Sequence, residues 1–227
     1  MEPFPCPPRV KVCCIASREE AALAVRHGAS ALGLVSAMPS GPGVIDDATI
    51  AAVARAVPPG VSAFLLTSRV EVEALVDQQR RLVVNTLQLC DWLGAERLQE
   101  LRARLPGVKL VQVIHVRGEV ALREAAAAAP LVDALLLDSG NPDLAVKELG
   151  GTGRRHDWAL SRRIREESPV PLFLAGGLTS ANAREAIAQV GPYGLDVCSG
   201  VRSEGALDER KLYAFMEAAA GSAAASA

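Results

Sequence analysis

The amino-acid sequence predicts an α/β fold closed as a single (β/α)8 TIM barrel, and three observations carry that expectation. Short runs rich in Val, Ile and Leu alternate eight times with longer stretches whose apolar residues recur at helical spacing, the mark of repeated βα units. The runs are nearly all apolar instead of alternating, as strands buried on both faces beneath helices must be. Most of them also end on a small polar or reactive residue, above all Cys13 in VKVCCIA and Asp138 in ALLLD. In a closed parallel barrel such ends gather around one mouth, where barrel enzymes place their chemistry. An open doubly wound sheet shares the local pattern, but eight regular units without a dinucleotide-binding glycine fingerprint favour closure.

The predicted strands cover residues 10–16, 31–36, 62–67, 86–90, 109–116, 134–138, 171–175 and 195–198. Asp46 before ATIAAVARAV and Thr179 before SANAREAIAQV are residue types that cap a helix N-terminus, whereas Gly28 and Gly191 fall where helices stop. Pro58 and Pro59 end the second helix, because proline can neither donate the next hydrogen bond nor fit the preceding turn. One domain over residues 1–220 is expected, followed by a disordered tail at 221–227.

Half of the 227 residues are hydrophobic, enough for a large core, and the net charge is only −2. The basic residues are scattered along helices, which leaves no electrostatic footprint for nucleic acid. No apolar run is long enough to cross a bilayer, and MEPFPCPPRV lacks the charged and apolar regions of a signal peptide. A cytoplasmic protein acting on small molecules is expected. Its five cysteines, Cys6, Cys13, Cys14, Cys90 and Cys198, show neither zinc-finger spacing nor a disulfide framework, so they read as free thiols.

Phosphate is the ligand with the most support. GGTG at 150–153, AGGL at 175–178 and CSGV at 198–201 each follow a late strand, and the last two precede helical stretches. Glycine lets a backbone approach an anion, helix starts supply N–H donors, and the loops after strands seven and eight of such barrels commonly hold phosphate. Gly151, Gly153, Gly176, Gly177, Ser199 and Gly200 are the candidate phosphate-binding residues, with Arg202 expected to add positive charge beside the anion.

Taken in order with KVC at 11–13, LQL at 87–89, LLLD at 135–138, HDW at 156–158, AGGLTSANAREAI from Ala175 and DVCSGV from Asp196, these segments resemble the phosphoribosylanthranilate isomerases. The resemblance spans nearly the whole chain. It implies a barrel enzyme of tryptophan biosynthesis that converts N-(5-phosphoribosyl)anthranilate to a 1-deoxyribulose phosphate by an Amadori rearrangement, with no metal or organic cofactor. It also implies that Asp138 is the general acid and Cys13 the general base. Ring opening needs a proton on the ribose ring oxygen, and enamine formation needs the C2 proton removed. An aspartate that keeps its proton near neutral pH must have its pKa raised by burial or by a neighbouring negative charge.

Three departures from the family pattern stand out. Cys14 follows Cys13 where the family usually has glycine. The loop after strand two reads MPSGPGVIDD at 38–47, without the arginine that in the family faces the anthranilate. QLCD at 88–91 replaces the family's QLHG. Arg69 and Arg117, which follow strands three and five, are the candidate substitutes for the missing guanidinium. Two other readings therefore compete: a relative that isomerises or binds another phosphorylated aminosugar, and a barrel in which Cys13, Cys14, Cys90 and Cys198, with His115, hold a thiophilic metal. The sequence leaves monomer and homodimer equally open.

Overall fold

The computed structural model describes residues 7–151 and 153–221, so Cys6, Thr152 and the predicted tail beyond Gly221 lie outside the described residues. Eight strands, β1 (Arg9–Val12), β2 (Ala31–Val35), β3 (Ser62–Thr67), β4 (Thr86–Leu89), β5 (Lys109–His115), β6 (Ala134–Asp138), β7 (Leu172–Leu174) and β8 (Gly194–Val197), pair in parallel in sequence order. Val12 of β1 pairs with Val197 of β8 and closes the barrel. The outer ring is α1 (Arg18–Arg26), α2 (Asp47–Ala56), α3 (Val72–Leu82), α4 (Ala95–Arg104), α5 (Val120–Ala128), α6 (Trp158–Glu167), α7 (Ala183–Val190) and α8 (Glu209–Ala220).

The alternation hidden by the all-apolar runs is one of destination. Along β1, Val10 and Val12 pack outward into the large core beneath the helices, while Lys11 and then Cys13 face the barrel lumen. The same parity sends Ala31 and Val35, Phe64 and Leu66, Ala134 and Leu136, and Phe173 into the lumen. Both destinations are dry, so both sets read as apolar. Helix starts follow capping chemistry: Asp46, Asp157 and Asp208 each accept hydrogen bonds from first-turn N–H groups, as does Ser17.

Most strand bounds agree with expectation to within one residue, and three features differ more. Strand β1 ends at Val12 instead of residue 16, because Cys14 adopts φ +61 and turns the chain out of the extended conformation. Helix α7 begins at Ala183 with Asn182 at its N-cap. Thr179 instead opens a preceding turn, its carbonyl accepting from the N–H groups of Asn182 and Ala183. Finally, CSGV becomes a 3-10 turn at Ser199–Val201, followed by the short hairpin β9 (Arg202–Ser203) and β10 (Ala206–Leu207). Its loop holds Glu204 at φ +51 and Gly205 at φ +83, the left-handed pair of a tight hairpin turn.

Candidate active site

A cavity opens at the C-terminal mouth, lined by Cys13 and Cys14 after β1, Gln88 and Cys90 at β4, Asp138 at the end of β6, and Asp196 and Cys198 at β8. Its rim comes from the glycine segments and from Met38, Ser40, Gly41 and Pro42 of the β2α2 loop. The structure thus brings Cys13 and Asp138 to one space.

Asp138 is buried, and that burial first, with the nearby Asp196 carboxylate adding to it, holds its carboxyl above the usual carboxylate range. The Ser139 backbone N–H, donating to Oδ1 at 2.7 Å, works against the rise without cancelling it. Gly150 leaves the other oxygen its room, since a Cβ there would lie 2.6 Å from Oδ2. A carboxyl at a cavity wall that holds its proton to higher pH than an exposed one can give that proton to a ligand oxygen.

Cys13 sits over a buried ion pair that sequence reasoning missed. Lys11 Nζ donates to Asp196 Oδ1 at 2.8 Å, with the lysine fully buried and Asp196 nearly so. Burial alone would lower the Lys11 ammonium. The Asp196 carboxylate and the Cys13 sulfur outweigh it and hold the group above the usual ammonium range. Lys11 is therefore a fixed cation beneath the Cys13 sulfur. Gly33 is what allows the approach: a Cβ there would come within 2.8 Å of Cys13 Sγ and 3.1 Å of Lys11 Nζ. The available signal was parity, because Lys11 and Asp196 interrupt otherwise apolar runs two residues before Cys13 and Cys198. Gln88 Oε1, buried without a protein partner, faces the same space and is available to a ligand hydroxyl.

The three glycine segments converge. A Cβ on Gly177 would meet the Gly153 carbonyl at 2.9 Å, one on Gly176 the Arg154 carbonyl at 3.0 Å, and one on Gly153 the Ser199 hydroxyl at 3.7 Å. Gly151, Gly153, Gly176 and Gly177 all take positive φ, which turns their backbones in ways a side chain resists. They line the cavity with Ser199. Gly200 stands behind them. It lies on Leu178, whose carbonyl oxygen would be 2.0 Å from a Cβ. Because α7 starts only at Ala183, the donors nearest the cradle are loop N–H groups and not that helix terminus.

The expected cations are elsewhere. Arg202 does not reach the cavity; it donates to both carboxylate oxygens of Glu20 at 3.0 and 2.9 Å and to the Cys13 and Cys14 carbonyls, fastening β1 to β8. Arg117 pairs with Asp143 and, at 3.5 Å, with Glu124, and Arg69 is exposed beyond β3. None of the described cavity-lining residues is a lysine or arginine. The β2α2 loop instead closes on the β6α6 loop, Ser40 Oγ donating to the Lys147 carbonyl at 2.5 Å. The cysteines do not assemble with His115, whose Nε2 faces the Cys90 carbonyl at 3.1 Å. Among the described residues no group of three or more His, Cys, Asp and Glu is placed to hold a metal ion.

Fold and site together define a parallel β/α barrel whose mouth joins a buried carboxyl, a thiol and a cradle of glycine loops. The model of the N-(5'-phosphoribosyl)anthranilate isomerase family matches residues 10–218. N-(5'-phosphoribosyl)anthranilate isomerase 2 of Methanosarcina mazei is 36% identical over 213 residues, covering 93% of each chain, and the Thermosynechococcus vestitus isomerase is 36% identical over 194 residues, covering 86% of this chain and 81% of that one. The phosphoribosyl anthranilate isomerase structure from Thermotoga maritima superimposes with a TM-score of 0.80 at 28% identity over 94% of this chain and 99% of its own. A phosphoribosyl anthranilate isomerase solved with reduced 1-(o-carboxyphenylamino)-1-deoxyribulose 5-phosphate gives a TM-score of 0.77 at 26% identity, covering 94% of this chain and 99% of its own. The chain belongs to the N-(5'-phosphoribosyl)anthranilate isomerase family.

Proposed function

We propose that this chain isomerises N-(5'-phosphoribosyl)anthranilate, with Asp138 as general acid and Cys13 as general base. The observation that carries the assignment is the buried Asp138 carboxyl sharing one cavity with Cys13 and the glycine loops. The phosphate is held by loop N–H groups around Gly151, Gly153, Gly176 and Gly177, and by Ser199. Asp138 gives its proton to the ribose ring oxygen as the nitrogen lone pair expels it and the C1–O bond breaks, leaving an open-chain iminium (protonated Schiff base). Cys13 then removes the C2 proton. The electrons shift to form the C1–C2 enamine, which tautomerises to the aminoketose.

The small phosphorylated substrate follows from family membership; the aglycone contacts do not follow from a basic residue in the wall. The β2α2 loop offers the aromatic ring Met38 and Pro42 in place of a guanidinium. No helix among the described residues is long and apolar enough to cross a membrane. We place the enzyme in the cytoplasm, as a monomer or homodimer without nucleic-acid or membrane partners. The test is loss of anthranilate fluorescence on adding purified protein to freshly generated phosphoribosylanthranilate, beside the Cys13→Ala variant. Turnover that the variant lacks is expected. Well-folded protein without turnover would redirect the site to another phosphorylated aminosugar.

A further inference from the structure

Cys14 and Cys198 are 184 residues apart in sequence, yet their sulfurs lie 2.7 Å apart at the cavity wall. Barrel closure explains the meeting. Val12 pairs with Val197, so one step further on the ends of β1 and β8 run side by side at the spacing of neighbouring strands, about 4.8 Å. Cys14 reaches across because its backbone turns to φ +61, a conformation that disfavours any side chain. Gly43 leaves the space that this side chain takes, since a Cβ there would lie 2.5 Å from Cys14 Cβ.

The two thiols are unlike. Cys14 is buried, and hydrogen bonding to the Cys13 sulfur first and the Cys198 sulfur next pushes its thiol up. Cys198 is half-buried and lines the cavity, and the Cys14 thiol, helped by the Arg202 guanidinium, holds it below the ordinary thiol range. An accessible thiol of low pKa beside a buried second thiol is the arrangement of an attacking and a resolving cysteine.

We infer that Cys14 and Cys198 are a reversible modification site, oxidised by a small-molecule disulfide to an intramolecular disulfide that shuts the catalytic cavity. The Cys198 thiolate attacks one sulfur of the reagent and expels the first thiolate. Cys14 then loses its proton and attacks the Cys198 sulfur of the mixed disulfide, expelling the second. The two cysteines lose two electrons and two protons, and the reagent leaves as two thiols. Forming a bond of about 2.05 Å draws the sulfurs together by about 0.7 Å and pulls Cys14 Sγ off the Pro42 carbonyl, 3.7 Å away. The residues that move adjoin Cys13 on one strand and Ser199 on the other. Displacing a catalytic base on this scale costs on the order of tenfold to a hundredfold in rate.

The test incubates reduced, desalted protein with oxidised glutathione, alkylates the remaining thiols and maps peptides by mass spectrometry without reduction. A Cys14–Cys198 cross-linked pair, two hydrogens lighter than its reduced parts, is expected. It should persist in Cys13→Ala and vanish in Cys14→Gly, where φ +61 suits glycine, and in Cys198→Ser. Turnover should fall at least about tenfold on oxidation and return with dithiothreitol, while Cys198→Ser keeps its own reduced rate under the same treatment and Cys14→Gly retains glutathione on Cys198. A cross-link through Cys13, stable glutathionylation without cross-link, or a full cross-link with unchanged turnover would each overturn the inference. Only the turnover readout rests on the isomerase reading. If reduced protein proves inactive, that reading fails, and the cross-link together with loss of inorganic phosphate binding still decides this one.

Discussion

The two mouths of the barrel are built to opposite rules. At the N-terminal end Phe64, Phe173 and Tyr193 meet edge to face in the lumen, with centroids 5.8 and 5.5 Å apart, and Gly194 makes way for the Phe173 ring. At the C-terminal end the lumen holds the Lys11–Asp196 pair, the Asp138 carboxyl and four thiols, surrounded by backbone at positive φ. The lower layer gains from every contact it makes. The upper one carries desolvated charge and strained backbone, which persist only where the rest of the fold over-determines them. Stability and chemistry are thus separated along the barrel axis, as the fold permits.

The largest expected effect lies at the upper mouth. Asp138→Asn should cut kcat by about 10²- to 10⁴-fold while inorganic phosphate still binds, because the shape stays and the acid goes. The pH profile carries the sign: as pH rises through the raised Asp138 pKa the acid loses its proton, so activity falls on the alkaline side. The folded state binds this proton more tightly than the unfolded one, so stability also declines as pH rises from the ordinary carboxylate range through the raised value. An alkaline limb of wild-type stability that persists unchanged in Asp138→Asn would contradict this.

Below, Phe173→Ala should cost about 3–5 kcal/mol in urea unfolding and leave the turnover of folded molecules intact. A loss of turnover without loss of stability would break the division between the mouths. Lys11→Met joins the two regimes, since it strands the Asp196 charge; a loss of about 3–5 kcal/mol is expected, partly restored by adding Asp196→Asn. His156 tests the loop behind the cradle. Burial lowers its pKa to about 4, so the folded state takes up its proton later than the unfolded one. Stability is then full above the unfolded value of about 6.5 and is lost as pH falls toward about 4, on the order of 3 kcal/mol, and His156→Phe should flatten that slope. Smallest is Gly177→Val, which crowds the Gly153 carbonyl and should weaken inorganic phosphate binding about tenfold in a titration, near 1.4 kcal/mol.

Much of this was legible in the chain. The strand count, the placing of Cys13 and Asp138 at one mouth and the glycine segments all follow from local periodicity and turn chemistry, which act within one βα unit. Helix starts were legible where a side chain caps its own first turn, as at Asp46, and misread at Thr179, where Asn182 competes for the same turn. The arginines were misjudged for a related reason. A long side chain goes wherever its best partner stands, and for Arg202 that partner is Glu20, 182 residues away.

By itself, then, the sequence determined the fold, the family and the residues from which an active site can be drawn, because each is encoded in spacing along one segment. Only the tertiary structure decided that Lys11 meets Asp196 beneath Cys13, that Cys14 meets Cys198, and that Arg202 turns away from the cradle. Those contacts join the two ends of the chain. They depend on the register at which β8 closes on β1, and a one-residue slip there would send the lumen groups of the slipped strand to the helix side.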